Sequence, residues 1–288
     1  MSFVIEQRAA GPTLVVTGRW SAQARNALLD GRADGLVLNY ALGFVQEPID
    51  FIEGLPIKRL EILARSIDDL TPVYSLAATL EELSVDCDPR VPIELENLPA
   101  LKTVAADWPQ IRASALFAPQ LECVRTSSYT EPDLSPLSSM TSLTSLTMKD
   151  CPGLRSLDGM DAFPWLVTLY IALARNLDDI TAIARHAPLA LQELRFPACK
   201  RIPDIEPVAA CPGLTFFELS EGGRIPSVAP LTGLDRLEYL WLFDSTYVVG
   251  GDLRPLSHLS HLKDFRMMNR SHYRPRVREI QDAIGFVP

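Results

Sequence analysis

The chain has 288 residues, of which 47% are hydrophobic and 22% are charged, and its formal net charge at pH 7 is −9. This negative charge argues against general nucleic-acid binding, which depends on Lys and Arg side chains that neutralise phosphates. The sequence contains no apolar run of about 18 residues, so we expect no membrane-spanning segment.

The first 40 residues predict a small cap made of short elements. Segments 3–6 and 13–17 are predicted to be strands on either side of a Gly-Pro turn. Ser21 can cap a helix that runs to about Asp30. The apolar segment at 35–39 then predicts a degenerate repeat strand. We do not expect a separate catalytic domain in so short a stretch.

From residue 57 onward, the pattern Leu-x-x-Leu-x-Leu occurs ten times at intervals of 20 to 25 residues. Of its thirty first, fourth and sixth positions, 29 are apolar and only Thr126 departs. The fourth and sixth positions alternate with non-core residues, which is typical of a short half-buried strand. Self-similarity at this period predicts stacked repeats that bury their apolar faces against one another. The runs begin at Ile57, Leu80, Leu101, Leu121, Leu143, Leu166, Leu191, Leu214, Leu237 and Leu262.

The second half of many repeats has apolar residues spaced by three, as in Leu154, Leu157 and Met160. A period of three favours 3₁₀ turns or extended backbone over a long α-helix. Prolines stand seven residues before several of the runs and indicate short, irregular segments on the convex side. These prolines are Pro136, Pro207, Pro230 and Pro255.

Segments such as 143–163 (LTSLTMKDCPGLRSLDGMDAF) and 237–259 (LEYLWLFDSTYVVGGDLRPLSHL) resemble leucine-rich repeats. The resemblance is to the class of roughly 22 residues found in internalins and in phosphatase regulators, and it covers about 57–270. It implies an α/β fold, a right-handed leucine-rich-repeat solenoid or horseshoe with a concave parallel β-sheet and short 3₁₀ or irregular convex segments. A β-hairpin-plus-helix cap at the N-terminus and a short helical cap at the C-terminus complete that expectation. For function it implies little, because such scaffolds carry many unrelated roles.

The ninth position, where this family usually has Asn, holds Cys151 and Cys199 in two repeats and varied residues elsewhere. We therefore expect a degenerate ladder at this position. The five cysteines are scattered and lack metal-ligand spacing, which favours small buried residues over disulfides or ligands. No signal peptide is apparent near the N-terminus, so a cytoplasmic location is the expectation.

At the other end, Pro275 is expected at the first position of a short helix whose apolar face holds Val277, Ile280 and Ile284. The predicted division is therefore an N-terminal cap at 1–40, about ten repeats at 41–270 and a capping helix at 271–288, all in one continuous domain. Residues 262–288 carry a net charge of +3, which leaves −12 on the remainder. We interpret this positive segment as a surface that faces solvent. The alternative is that an acidic partner docks on it.

Function is expected on the residues between the leucines, because positions three, five and seven of each run should face outward from the sheet. In the later repeats these positions become aromatic, with charged residues around them, including Glu193 and Asp264. A contiguous exposed apolar patch with a polar rim marks an interaction site. The alternative is that the sheet curls or a loop covers the rings. The candidate partner-binding residues are Tyr170, Arg195, Phe216, Glu218, Tyr239, Trp241, Phe243 and Arg266.

Enzymatic chemistry has little support in the sequence. His258 and His261 are three residues apart near Asp252, but no third ligand has matching spacing. No nucleophile motif or glycine-rich phosphate loop is present, so we expect no catalytic residues, metal or cofactor. In the early repeats, Glu82, Asp86 and Asp107 form a small acidic patch that we interpret as a solvated face.

The sequence therefore predicts a non-catalytic scaffold that binds another protein or peptide, with Arg195, Glu218 and Arg266 setting its register and a monomer as the default state. Replacing both Trp241 and Tyr239 by Ala should abolish partner capture and leave melting nearly unchanged. Two alternatives remain: an inhibitor or immunity-type protein that blocks an enzyme or toxin, and a module that recognises a glycan or small molecule.

Overall fold

The computed structural model describes residues 2–186 and 188–286, and the chain divides into two units, 1–126 and 127–288. Each unit is built from strands and short helical turns in alternation. The sequence prediction divides the chain by its repeat pattern, into a cap, about ten repeats and a second cap. These two compact units do not test that division, which stays a prediction.

The first unit begins with an antiparallel hairpin, after which the sheet continues in parallel pairing. Its strands are β1 Phe3–Arg8, β2 Gly11–Val16, β3 Gly35–Asn39, β4 Arg59–Leu63, β5 Glu82–Asp86, β6 Thr103–Asp107 and β7 Cys123–Ser127, in this spatial order. Its α-helices are α1 Ala22–Leu29 and α2 Trp108–Ile111. Its 3₁₀ turns are Tyr40–Leu42, Asp50–Ile52, Thr71–Leu76, Leu95–Asn97 and Ala115–Phe117.

The second unit has the same plan, with a parallel sheet and a second, two-stranded parallel sheet. Its strands are β8 Ser145–Lys149, β9 Thr168–Ala172, β10 Glu193–Arg195, β11 Phe216–Glu218, β12 Arg224–Ile225, β13 Tyr239–Leu242, β14 Tyr247–Val248 and β15 Asp264–Met267, where β12 and β14 form the small sheet. Its α-helices are α3 Ala182–His186 and α4 Val277–Ala283. Its 3₁₀ turns are Ser135–Leu137, Met160–Ala162, Glu206–Ala210, Ala229–Leu231 and Arg254–His258.

The predicted cap elements are present at the start of the first unit. The Ser21 hydroxyl accepts a hydrogen bond from the backbone N–H of Ala24, which satisfies one of the free donors at the start of α1. At the other end of the chain, the expectation for Pro275 is wrong, because the helix begins at Val277 with Arg276 as its N-cap. The carboxylate of Glu279 accepts the backbone N–H of Arg276 at 2.8 Å, and this capping hydrogen bond starts the helix two residues after Pro275.

The leucine pattern is the core. All thirty first, fourth and sixth positions of the repeats are buried, Thr126 included. The residues spaced by three in the return halves, among them Leu154, Leu157 and Met160, are buried as well. Each fully buried aliphatic side chain contributes about 1.5–3 kcal/mol, so this repeated burial is the main stabilising term.

Four of the 3₁₀ turns begin two residues after an aspartate and have a proline at their second position. Before the turn at Thr71–Leu76, the carboxylate of Asp69 accepts the backbone N–H of Thr71, and this hydrogen bond holds the pKa of Asp69 below its ordinary value. The proline that follows has the φ angle that the turn needs. Asp133, Asp204 and Asp252 accept a backbone N–H two residues ahead in the same way, and Asp179 does so before helix α3, where no proline follows.

In six successive runs, from the run that starts at Leu121 to the run that starts at Leu237, the residue at the eighth position has a left-handed backbone conformation. The φ angles of these residues are between 52° and 61°, and none of the residues is glycine: they are Ser128, Asp150, Leu173, Ala198, Glu221 and Asp244. Such a conformation costs a residue with a Cβ about 1–2 kcal/mol. This left-handed conformation ends the strand and changes the direction of the backbone.

Thr126 is the single polar residue in the core pattern, and its hydroxyl is buried without a hydrogen-bond partner among the described residues. We expect Thr126→Val to raise the free energy of unfolding by about 1–2 kcal/mol, because valine has the same shape and removes the unsatisfied group. Urea unfolding measures this difference. Thr147→Val, at a half-exposed position, is the control and should change stability by less than about 0.5 kcal/mol; equal effects of the two substitutions would contradict the interpretation.

Candidate functional site

The candidate residues lie on the face of the second unit's sheet that the leucine core does not use. The strand register pairs the third position of one run with the third position of the next, and likewise the fifth with the fifth. The row of fifth positions reads Tyr170, Arg195, Glu218, Trp241 and Arg266 from β9 to β15, and the row of third positions includes Phe216 beside Tyr239. We call these seven residues, with Phe243 and Met268, the aromatic face.

The centre of the aromatic face is the guanidinium of Arg195. Its Cζ lies 4.4 Å from the ring centroid of Phe216, 5.1 Å from that of Tyr170 and 5.5 Å from that of Trp241. A cation this close to the face of an aromatic ring is attracted by the ring quadrupole. Three rings therefore hold one arginine in place.

Arg195 also pairs with Glu218 on the neighbouring strand. Both Nε and Nη2 of Arg195 lie 2.8 Å from the same carboxylate oxygen of Glu218. The side chain of Glu218 is 8% exposed and that of Arg195 is 24% exposed. The expectation that Glu218 faces solvent is therefore wrong. The glutamate side chain is shorter than the arginine and the aromatic side chains beside it. Arg195 and the rings around it therefore cover the carboxylate of Glu218.

Trp241 connects this centre to a second arginine. Its ring packs edge-on against Phe216 with centroids 4.8 Å apart, and Cζ of Arg266 lies 4.5 Å from its centroid. Arg266 is in turn bound to Asp264 by an Nη2–Oδ2 contact of 2.8 Å. The indole N–H of Trp241 is buried and has no hydrogen-bond partner in the described part of the chain. Trp241 is thus a packed residue as well as a surface one.

Burial also changes the acidity of Tyr170. Desolvation raises the pKa of its phenol above the ordinary value, and the negative charge of Glu218 adds to this effect. In this site the ring of Tyr170 contacts the guanidinium of Arg195.

The outer part of the aromatic face is apolar and exposed. Tyr239 is 38% exposed and Phe243 is 48% exposed, and Tyr239 packs on Phe216 with centroids 5.5 Å apart. Met268 is 43% exposed and occupies the seventh position of the last run, as Phe243 does in the run before it. The sequence prediction left Met268 out, although an apolar residue at an outward position was the available indication.

The structure thus divides the eight predicted residues into two groups. Tyr170, Arg195, Phe216, Glu218 and Trp241 form a packed base, joined by the contacts given above. Tyr239, Phe243 and Arg266 lie further out, where a partner can reach them. Whether a partner binds there stays a prediction.

The described residues contain no cluster of three or more His, Cys, Asp or Glu side chains that could hold a metal ion. They also include no helix that is long and apolar enough to cross a membrane. Burial raises the pKa of the thiols of Cys151, Cys199 and Cys211 to about 12, so these groups are protonated and unreactive at neutral pH.

No protein-family model matches the sequence, and no curated protein matches it either. Solved structures do match the fold. An internalin (InlF) from Listeria monocytogenes has a TM-score of 0.57 and 20% identity, over 75% of this chain and 63% of that one. Internalin C2 from the same organism has a TM-score of 0.50 and 16% identity, over 68% of this chain and 84% of that one.

A third structure, the functional domain of InlJ from Listeria monocytogenes, matches with a TM-score of 0.50 and 19% identity, over 72% of this chain and 43% of that one. The chain therefore spans less than two thirds of the InlF and InlJ structures. Identities at this level show the fold alone. These structural matches, together with the parallel strands, the 3₁₀ turns and the buried leucine pattern, show that this chain has the leucine-rich-repeat fold.

Proposed function

We propose that the chain is a non-catalytic scaffold that binds another protein or a peptide through the aromatic face. The observation that carries the proposal is the exposure of Tyr239, Phe243 and Met268 on one side of the sheet, beside arginines already held by carboxylates. A folded protein gains nothing in stability from large apolar side chains left in water. An adjacent set of them with a charged rim is typical of an interaction site.

The base beneath these residues supports binding because it fixes their positions. Tyr239 leans on Phe216, and Phe216 is held by Arg195. A partner that buries the exposed rings therefore orders few side chains on this protein, which keeps the entropy cost of association low. Arg266 is half exposed and has further N–H groups for a carboxylate or carbonyl of the partner.

The net charge of the chain affects how fast a charged partner approaches. A net charge of −9 favours the approach of a partner with basic residues around the contact. This makes the association rate dependent on salt. An inhibitor of a basic enzyme or toxin would show the same dependence with one tight partner, whereas a general adaptor would capture several.

A photo-crosslinking experiment tests the proposal. The photoreactive amino acid p-benzoylphenylalanine replaces Phe243, and the labelled protein is illuminated in extract of the organism that makes it. We expect at least one discrete crosslinked protein. The same label at Phe117, which is 59% exposed in the first unit, is the matched control and should not give that product.

The same crosslinked proteins from both positions, or none from Phe243, would contradict the proposal. Recognition of a glycan would instead give no protein product from Phe243, together with a glycan-array signal that Tyr239→Ser removes.

A further inference from the structure

The first unit has an open pocket on the outward face of its own sheet, with a volume of about 240 Å³. It is lined by residues from the hairpin and from β3 to β7, and it includes none of the residues of the aromatic face. Pockets for drug-sized ligands usually measure about 300–1,000 Å³, so this one suits a smaller molecule.

The pocket exists because small side chains occupy the middle of a row of larger ones. At the fifth position of successive runs the residues are Glu61, Ser84, Ala105 and Arg125, and the register places Ser84 between Glu61 and Ala105. Ser84 and Ala105 thus form a low floor. Glu61 stands at one end of this floor and Arg125 at the other.

Two of the three arginines in the pocket wall are already neutralised. Arg8 reaches from the hairpin to Glu61 at 3.1 Å and also binds Glu6 at 3.1 Å. Arg59 is paired with Asp34. These contacts build the wall, and a ligand would have to break them to use either arginine.

Two oppositely charged side chains in the pocket, Glu82 and Arg125, have no ion-pair partner within the described residues. The side chains of Glu82 and Arg125 are exposed, and within the described residues neither makes an ion pair or a hydrogen bond. They stand on β5 and β7, two strand spacings across and two residues along the sheet, or about 12 Å apart at the backbone. Thr103, the register partner of Glu82, adds a hydroxyl between them.

We propose that this pocket binds a small zwitterion, a free α-amino acid, with its carboxylate on Arg125 and its ammonium on Glu82. The guanidinium presents paired N–H donors that match a carboxylate, and the carboxylate of Glu82 accepts from an ammonium group. A ligand with one charge leaves the opposite protein charge without a partner. A zwitterion satisfies both charges and adds no net charge to the pocket.

Saturation-transfer NMR on the full chain tests this assignment with a panel of the standard amino acids at millimolar concentration. Acetate and methylammonium serve as the two half-ligands. We expect saturable binding of at least one amino acid, and binding at least about tenfold weaker for each half-ligand, because each makes only one of the two charged contacts.

Variants locate the site. Arg125→Gln and Glu82→Gln should each weaken the binding by at least about tenfold, and Ala105→Leu should abolish it by filling the floor. Arg65→Gln and Asp86→Asn, at exposed positions outside the pocket, are the matched controls and should bind as the unmodified chain does. Circular dichroism checks that each variant is folded.

The proposal is overturned if no amino acid binds, if acetate or methylammonium binds as tightly as the amino acid, or if binding survives Arg125→Gln and Glu82→Gln. These results are independent of the aromatic face, because every substitution lies in the first unit.

Discussion

Replacing Arg195 by alanine is expected to lower the free energy of unfolding by about 3 kcal/mol. The substitution leaves the carboxylate of Glu218, which is 8% exposed, without its two hydrogen bonds. It also removes the cation that Tyr170, Phe216 and Trp241 surround. We take the lower end of the usual range for a broken buried pair because Arg195 keeps 24% of its side chain exposed.

Urea unfolding of three variants measures this effect. Arg266→Ala is the matched control, since the Arg266 side chain is 50% exposed, twice as much as that of Arg195, and its pair with Asp264 should contribute less than about 1 kcal/mol. Adding Glu218→Gln to Arg195→Ala should recover part of the loss, because an amide is less costly to bury than an unpaired carboxylate. If Arg195→Ala costs no more than Arg266→Ala, Arg195 does not hold the base of the aromatic face.

Replacing both Tyr239 and Phe243 by serine is expected to weaken partner binding at least 100-fold, which corresponds to about 2.7 kcal/mol. The two rings are the exposed aromatic residues of the aromatic face, at 38% and 48%. A partner can cover only the exposed fraction of each ring, roughly 60–120 Å² apiece, but aromatic side chains at the centre of a contact contribute more to binding than their area alone. The melting temperature should change less than for a core substitution, because both residues are already partly exposed and all the leucines of the core stay in place.

Trp241 is the wrong residue for this test, although the sequence pattern singles it out. Its N–H is buried, and its ring contacts Phe216, Arg195 and Arg266. Removing it would loosen the base and the exposed rings together. A loss of binding in Trp241→Ala could therefore not be assigned to a lost contact.

The fold was accessible from sequence because one physical requirement repeats along the chain. A strand that buries every second residue needs apolar side chains at the fourth and sixth positions, and the return half needs them at every third. Leu146 and Met148 in β8, or Ile202 and Ile205 in a return half, show this requirement directly. Each repeat satisfies it locally.

The candidate site was accessible only in part, because burial on an outward face depends on the neighbouring side chains. Glu218 has an outward position, yet the longer Arg195 and its rings cover it. Conversely, the pocket in the first unit arises from what is small, Ser84 and Ala105, between two larger residues. The alternation of residues along one strand shows on which face of the sheet a side chain lies. It does not show how deeply the neighbouring side chains bury it.

The left-handed residues after the strands were missed for a related reason. Glycine or asparagine at the eighth position would have indicated the turn, but Leu173 and Ala198 carry no such preference. The backbone there follows from the stacking of the repeats. For Ala198, the backbone N–H donates to the carbonyl of Ser220 in the next repeat at 2.8 Å.

Binding at the aromatic face can be measured by calorimetric titration of the protein crosslinked through Phe243 against two double variants. Tyr239→Ser with Phe243→Ser removes the exposed rings of the aromatic face. Tyr40→Ser with Phe117→Ser removes the same residue types from exposed positions of the first unit, at 56% and 59% exposure. We expect at least about a 100-fold loss of affinity in the first variant and an unchanged affinity in the second. Equal affinity of both variants would show that the partner does not bind at the aromatic face.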